Sequence, residues 1–166
     1  MAIQIGIVMG SKSDYPIVER AERILDAFEV GYVTRIISAH RTPAAAEAFA
    51  KDAEEDELEV IIAAAGKAAH LAGVLAANTA LPVIGLPIKS STLDGLDSLL
   101  STVQMPKGVP VATVAIDGAE NAALLAVQIL SVKDARLREA IRSYKLHMAR
   151  EIEATDAAFQ EEHSES

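Results

Sequence analysis

Five short runs rich in β-branched residues, Ile3 to Met9, Tyr32 to Ile37, Leu58 to Ala64, Pro82 to Ile88 and Val111 to Ile116, alternate with segments of helical period. Most of these runs are almost continuously apolar, the pattern of strands covered on both faces. The sheet is therefore expected to be parallel, with helices on either side. The spacing predicts helices over Pro16 to Glu29, Pro43 to Asp56, His70 to Asn78, Leu93 to Val103 and Ala119 to Leu130. Pro16 and Pro43 fall near first-turn positions, where a missing amide is harmless. The fold class expected is α/β, a three-layer α/β/α sandwich with a five-stranded parallel sheet and a long C-terminal helix.

No linker interrupts residues 1–131, so the 166 residues read as a single domain, enough to bury about two thirds of the unfolded surface. Beyond it, residues 132–160 read as a polar helix with an apolar stripe at Leu137, Ile141, Tyr144, Met148, Ile152 and Phe159, and residues 161–166 as a frayed tail. A helix of that length spans about 40 Å, so its distal half is expected to overhang the domain and pack on another subunit. Folding back along its own domain is the alternative.

Three polar links follow the first three runs. Gly10-Ser11-Lys12-Ser13-Asp14 opens the first helix, where hydroxyls and free amides can hold a phosphate and Asp14 can accept from sugar hydroxyls. It has the spacing of neither a Walker loop nor a dinucleotide fingerprint, and simple capping by Ser13 or Asp14 is the bland alternative. Ser38-Ala39-His40-Arg41-Thr42-Pro43 combines a group that titrates near neutrality with one that grips anions. Thr42 and Pro43 already account for a helix start, so His40 and Arg41 call for another reason. The third link, Gly66-Lys67-Ala68-Ala69-His70, has small residues that permit close backbone approach and amides that could bind a carboxylate or CO2. A tight turn with a half-buried His70 would look the same.

Composition narrows the ligand. A formal net charge of −9 with 4% aromatic residues disfavours nucleic acid as a partner. Between residues 42 and 132 the only basic side chains are Lys51, Lys67, Lys89 and Lys107, and three of these lie at strand ends, so a small anion fits better than a polyanion. With no cysteine there are no disulfides or thiolate ligands, and His40, His70 and Asp14 lack metal-ligand spacing. No run reaches the ~20 apolar residues of a membrane span. The expectation is a soluble, unprocessed, cytoplasmic chain without a membrane partner.

Gly10 to Asp14, Ser38 to Pro43, Ala68-Ala69-His70-Leu71, Leu96-Asp97-Ser98-Leu99 and Val103-Gln104-Met105-Pro106 together resemble the class I 5-(carboxyamino)imidazole ribonucleotide mutases, the PurE family of purine biosynthesis, in one register over residues 3–131. The resemblance implies a flavodoxin-like sheet, a homo-octamer with its pocket at subunit contacts, and no cofactor or metal. It also implies substrate binding by Ser11, Ser13, Asp14, Ser38, Arg41, Gly66 and His70, with His40 as catalytic acid and base. The sister class of direct carboxylases has Lys in place of Arg41 and lacks the His70 motif. A non-catalytic nucleotide-binding module on the same fold is the other alternative. Two departures stand out, Lys67 where the family has Gly and Ala72 where it has Pro. If that Gly serves a positive φ, Lys67 carries strain.

Overall fold

The structure, a computed structural model, describes residues 2–164. Strands β1 (Ile3–Met9), β2 (Gly31–Ile36), β3 (Val60–Gly66), β4 (Val83–Ile88) and β5 (Ala112–Thr113) form one sheet in the order β2-β1-β3-β4-β5. All four pairings are parallel. The helices are α1 (Tyr15–Ala27), α2 (Pro43–Asp52), α3 (Leu71–Ala76), α4 (Leu96–Val103), α5 (Ala119–Leu130) and α6 (Ala135–Ser164). This is the expected three-layer sandwich. Its strand order places a topological switch between β1 and β3, where the chain leaves in opposite directions and a crevice opens at the carboxyl ends.

Alternation along the strands sorts the core into two layers. Ile5, Ile7 and Met9 of β1, with Ile62 of β3 and Ile84 and Leu86 of β4, pack against Val18, Ala21 and Leu25 of α1 and the alanines of α5. Val8, Ile61, Ala63 and Ala65 face the other way, toward Ala46 and Ala50 of α2 and Leu71 and Leu75 of α3. Close approach is explicit at Gly85, where a Cβ would lie 2.3 Å from Cγ2 of Thr102 on α4.

Several boundaries differ from the sequence reading, each for a local reason. α2 stops at Asp52 rather than Asp56, because the acidic run from Asp52 to Glu57 opposes the negative end of a helix dipole. The chain turns there through Glu57 in the left-handed region, and Leu58 N–H donates to Ala53 O at 2.9 Å. α4 starts at Leu96 rather than Leu93, since Asp94 and Gly95 both have positive φ. β5 is confined to Ala112–Thr113, although Val114 and Asp117 amides still reach Gly85 O and Pro87 O of β4 at 3.0 and 2.9 Å. Pro87 lacks the amide that a regular ladder requires, and Asp117 turns left-handed.

Asp134 begins the last helix by accepting from the Arg136 and Leu137 amides at 2.8 and 3.2 Å, which is why α6 starts at Ala135 and not at 132. Leu137 and Ile141 are buried against the domain, and Phe28 and Tyr144 rings meet at 5.8 Å. Farther on the helix overhangs, leaving Met148, Ile152 and Phe159 at 41%, 71% and 54% exposure. It continues through Ser164, so residues 161–164 are helical rather than frayed; residues 165–166 of that tail lie outside the described residues.

Candidate active site

The links after β1, β2 and β3 meet at the carboxyl edge of the sheet and line one open cleft of about 610 Å³. Ser11, Ser13, Asp14, Ser38, His40, Arg41, Gly66 and His70 all border it.

In the first link Ser11 caps a single 3₁₀ turn (Lys12–Asp14), its Oγ accepting from the Ser13 amide and hydroxyl at 3.3 and 2.9 Å. Asp14 occupies the N-cap position of α1 without making a side-chain capping bond. The capping alternative, posed for Ser13 or Asp14, therefore holds for neither; the residue that caps is Ser11. Asp14 is 8% exposed, and burial pushes its carboxyl above the ordinary value of 3.8, with hydrogen bonding from the Ser11 backbone and the Ser13 hydroxyl pulling the other way.

The second link is tied inward. Thr42 Oγ1 accepts from Ser38 N–H at 3.0 Å and donates to Ser38 O at 2.9 Å, closing the turn before α2. Arg41 donates its amide and Nε to Ser38 Oγ at 3.2 and 3.3 Å, and Nη2 to Gly10 O at 3.2 Å. The guanidinium thus bridges the first and second links while its remaining N–H groups stay available.

His40 and His70, thirty residues apart, meet across the cleft. Nε2 of His40 lies 2.8 Å from Nδ1 of His70, with the rings edge to face at a centroid separation of 4.9 Å. Between neutral imidazoles this contact holds one N–H, so the tautomer of one ring sets that of the other. Each histidine alone was legible as a candidate; their contact was not.

The third link has the backbone that the Gly-to-Lys departure raised as a question. Lys67 has φ 57°, in the left-handed region, and its side chain is exposed at the cleft. Two of the amides expected to be free are engaged, Ala69 N–H with Lys67 O and His70 N–H with Ala68 O, both at 2.9 Å. Ala72 is buried in α3 and does not border the cleft.

A fourth wall, from Lys89, Ser90 and Ser91 after β4, was not assigned to the site from sequence. Lys89 at a strand end was the available signal. Its amide donates to Asp117 Oδ1 at 2.8 Å, and Ser90, 6% exposed, donates to Asp97. Asp97 belongs to the Leu96-to-Leu99 motif, so that motif braces the wall. Among the described residues no group of three or more His, Asp or Glu is arranged to hold a metal ion. Among the described residues no helix is long and apolar enough to cross a membrane.

A doubly wound α/β sandwich with a guanidinium, free hydroxyls and paired imidazoles at its switch point is a protein built to hold a small anionic molecule and move a proton on it. The chain belongs to the AIR carboxylase family, which it matches over residues 4–151. It is 60% identical over 149 residues to the N5-carboxyaminoimidazole ribonucleotide mutase of Pyrococcus horikoshii, covering 90% of this chain and 84% of that one. The protein of the same name from Pyrococcus abyssi is 58% identical over 147 residues, covering 89% and 84%. Among solved structures, Treponema denticola PurE superposes with a TM-score of 0.86 at 31% identity, over 93% of this chain and 96% of that one.

Proposed function

We propose that the chain is a mutase of purine biosynthesis that converts 5-(carboxyamino)imidazole ribonucleotide into 5-amino-4-imidazolecarboxylate ribonucleotide. The names of the Pyrococcus relatives support this reading, and the observation that carries it is the 2.8 Å contact of His40 with His70 inside a cleft that also holds Arg41. Arg41 with Ser11, Ser13 and Ser38 binds the phosphate, Asp14 accepts from ribose hydroxyls, and Gly66 with His70 lines the carboxylate end.

In the reaction the N–CO2 bond breaks, releasing CO2, and the exocyclic nitrogen takes up a proton from His40. The electron-rich ring carbon C4 then attacks the CO2, and the C4 proton returns to His40. Atoms and charge balance with one imidazole acting in turn as acid and base. His70, in contact with His40, orients its ring and fixes the tautomer of its neutral form.

The family is named for the carboxylase reaction, so the test separates the two. With labelled bicarbonate in the medium, label should enter the C-carboxylated nucleotide much more slowly than turnover, because the nucleotide filling the cleft keeps the released CO2 beside C4 between half-steps. Incorporation at the turnover rate, with faster use of aminoimidazole ribonucleotide plus CO2, would establish direct carboxylation instead.

The same reading extends to a single-domain cytoplasmic homo-octamer with its pockets near subunit contacts. It is supported by the exposed distal stripe of α6 and by a groove of about 340 Å³ between α5 and α6, lined by Leu124, Leu125, Tyr144 and Met148. A neighbouring subunit would bury both.

A further inference from the structure

We propose that Lys67 is a specificity-determining residue that recognises the substrate carboxylate, so that the cleft distinguishes carboxylated nucleotides from aminoimidazole ribonucleotide. This rests on the mutase reading.

Among the described residues five non-glycine residues have positive φ, namely Glu29, Glu57, Lys67, Asp94 and Asp117, and of these only Lys67 borders the cleft. Glu29 and Glu57 follow α1 and the turn beyond α2, where left-handed closure is ordinary, and Asp tolerates that region. Lys67 directly follows the central strand β3, so its backbone is strained for a long side chain at the cleft edge.

The charge at this position also has no internal use. Of the three basic side chains around the cleft, Lys89 pairs with Asp94 at 3.1 Å and Arg41 is bound to Ser38 and Gly10. Lys67 has no ion-pair partner among the described residues. Asp14, the one carboxylate bordering the cleft, belongs to the first link and not to this one.

The substrate carries two anionic groups. Arg41 and the serine hydroxyls suit the phosphate, which leaves the carboxylate for the third link. There the Ala69 and His70 amides already donate within the loop, and α3 has only six residues and hence a weak dipole. The Lys67 ammonium, on the same loop as His70 and without an internal ion-pair partner, is the cationic side chain of the third link able to offset a carboxylate there.

Calorimetric binding of 5-amino-4-imidazolecarboxylate ribonucleotide and of aminoimidazole ribonucleotide tests this without requiring turnover. Lys67→Gln should weaken the carboxylated nucleotide about fivefold and leave the other within about twofold, as for a partly exposed charge pair. The difference should shrink as salt is raised, and Lys67→Arg should retain it. Lys67→Gly, which suits the backbone and removes the charge, should show the same selective loss even if the Gln variant folds poorly. Equal losses on both nucleotides, or none on either, would overturn the proposal. Wild-type protein that binds neither nucleotide would instead overturn the mutase reading.

Discussion

At Asp14 burial sets the ionisation of a single carboxyl against folding. Its folded-state pKa lies above the unfolded one because burial disfavours the carboxylate. Ionisation therefore costs folding free energy. The penalty is absent in acid, where both states are protonated, and grows as pH rises through the folded pKa. Asp14→Asn should raise the melting temperature at neutral pH, with the gain fading below about pH 4, the ordinary carboxylate range. The same change should weaken nucleotide binding by removing an acceptor for sugar hydroxyls. Melts at the two pH values, paired with calorimetry, check both halves; a variant that melts lower at neutral pH would show Asp14 to be structural. His40→Asn should keep binding within about tenfold while turnover falls by about 10²-fold or more, since the amide preserves shape but cannot carry the proton. Turnover near wild type would remove His40 from the reaction.

At the scale of elements, α6 is two things in one helix. Its first turns belong to the core, with Leu137 fully buried and Ile141 at 9% exposure, anchored by the Asp134 cap and by Arg136 Nη1 donating to Phe28 O at 3.1 Å. Leu137→Ala should cost about 3 kcal/mol, the middle of the range for a buried leucine that leaves a cavity. Urea unfolding measures it, and a loss under about 1 kcal/mol would mean that the site collapses or that α6 detaches without consequence. The apolar stripe that announces α6 is visible in its spacing. Its length announces the distal overhang as well, but where along the stripe burial ends is not legible, because periodicity reports a face and says nothing of what lies opposite it.

For the whole molecule the contrast is between a chain of net charge −9 and a cleft bordered by Arg41, Lys67 and Lys89 against Asp14 alone. That asymmetry suits a small anion drawn to one edge of an otherwise repelling surface. Assembly enters at the same scale. Deleting residues 149–166 should leave the monomer fold and its unfolding midpoint nearly unchanged but give smaller or weaker oligomers, since Ile152 and Phe159 have no cover in their own subunit. Deletion from Lys133 onward removes Leu137 and Ile141 as well and should destabilise the domain itself. Light scattering on the shorter deletion decides the matter, and an unchanged assembly would show that the overhang is not an interface.

Strand and helix alternation, the three polar links and their candidate side chains were determined by the sequence alone, because period, turn chemistry and helix starts depend on residues close together in the chain. Even the strain at Lys67 could be posed, because the family the sequence resembles has Gly at that position. The tertiary structure decided what depends on distant residues. It brought His40 to His70 across thirty positions, left Asp14 buried rather than capping, and added the β4 wall through Ser90 and Asp97. It also shortened β5, where Pro87 on the neighbouring strand withholds an amide. Each of these is set by register and by the direction a side chain takes against a partner far away in sequence, and no local pattern carries that information.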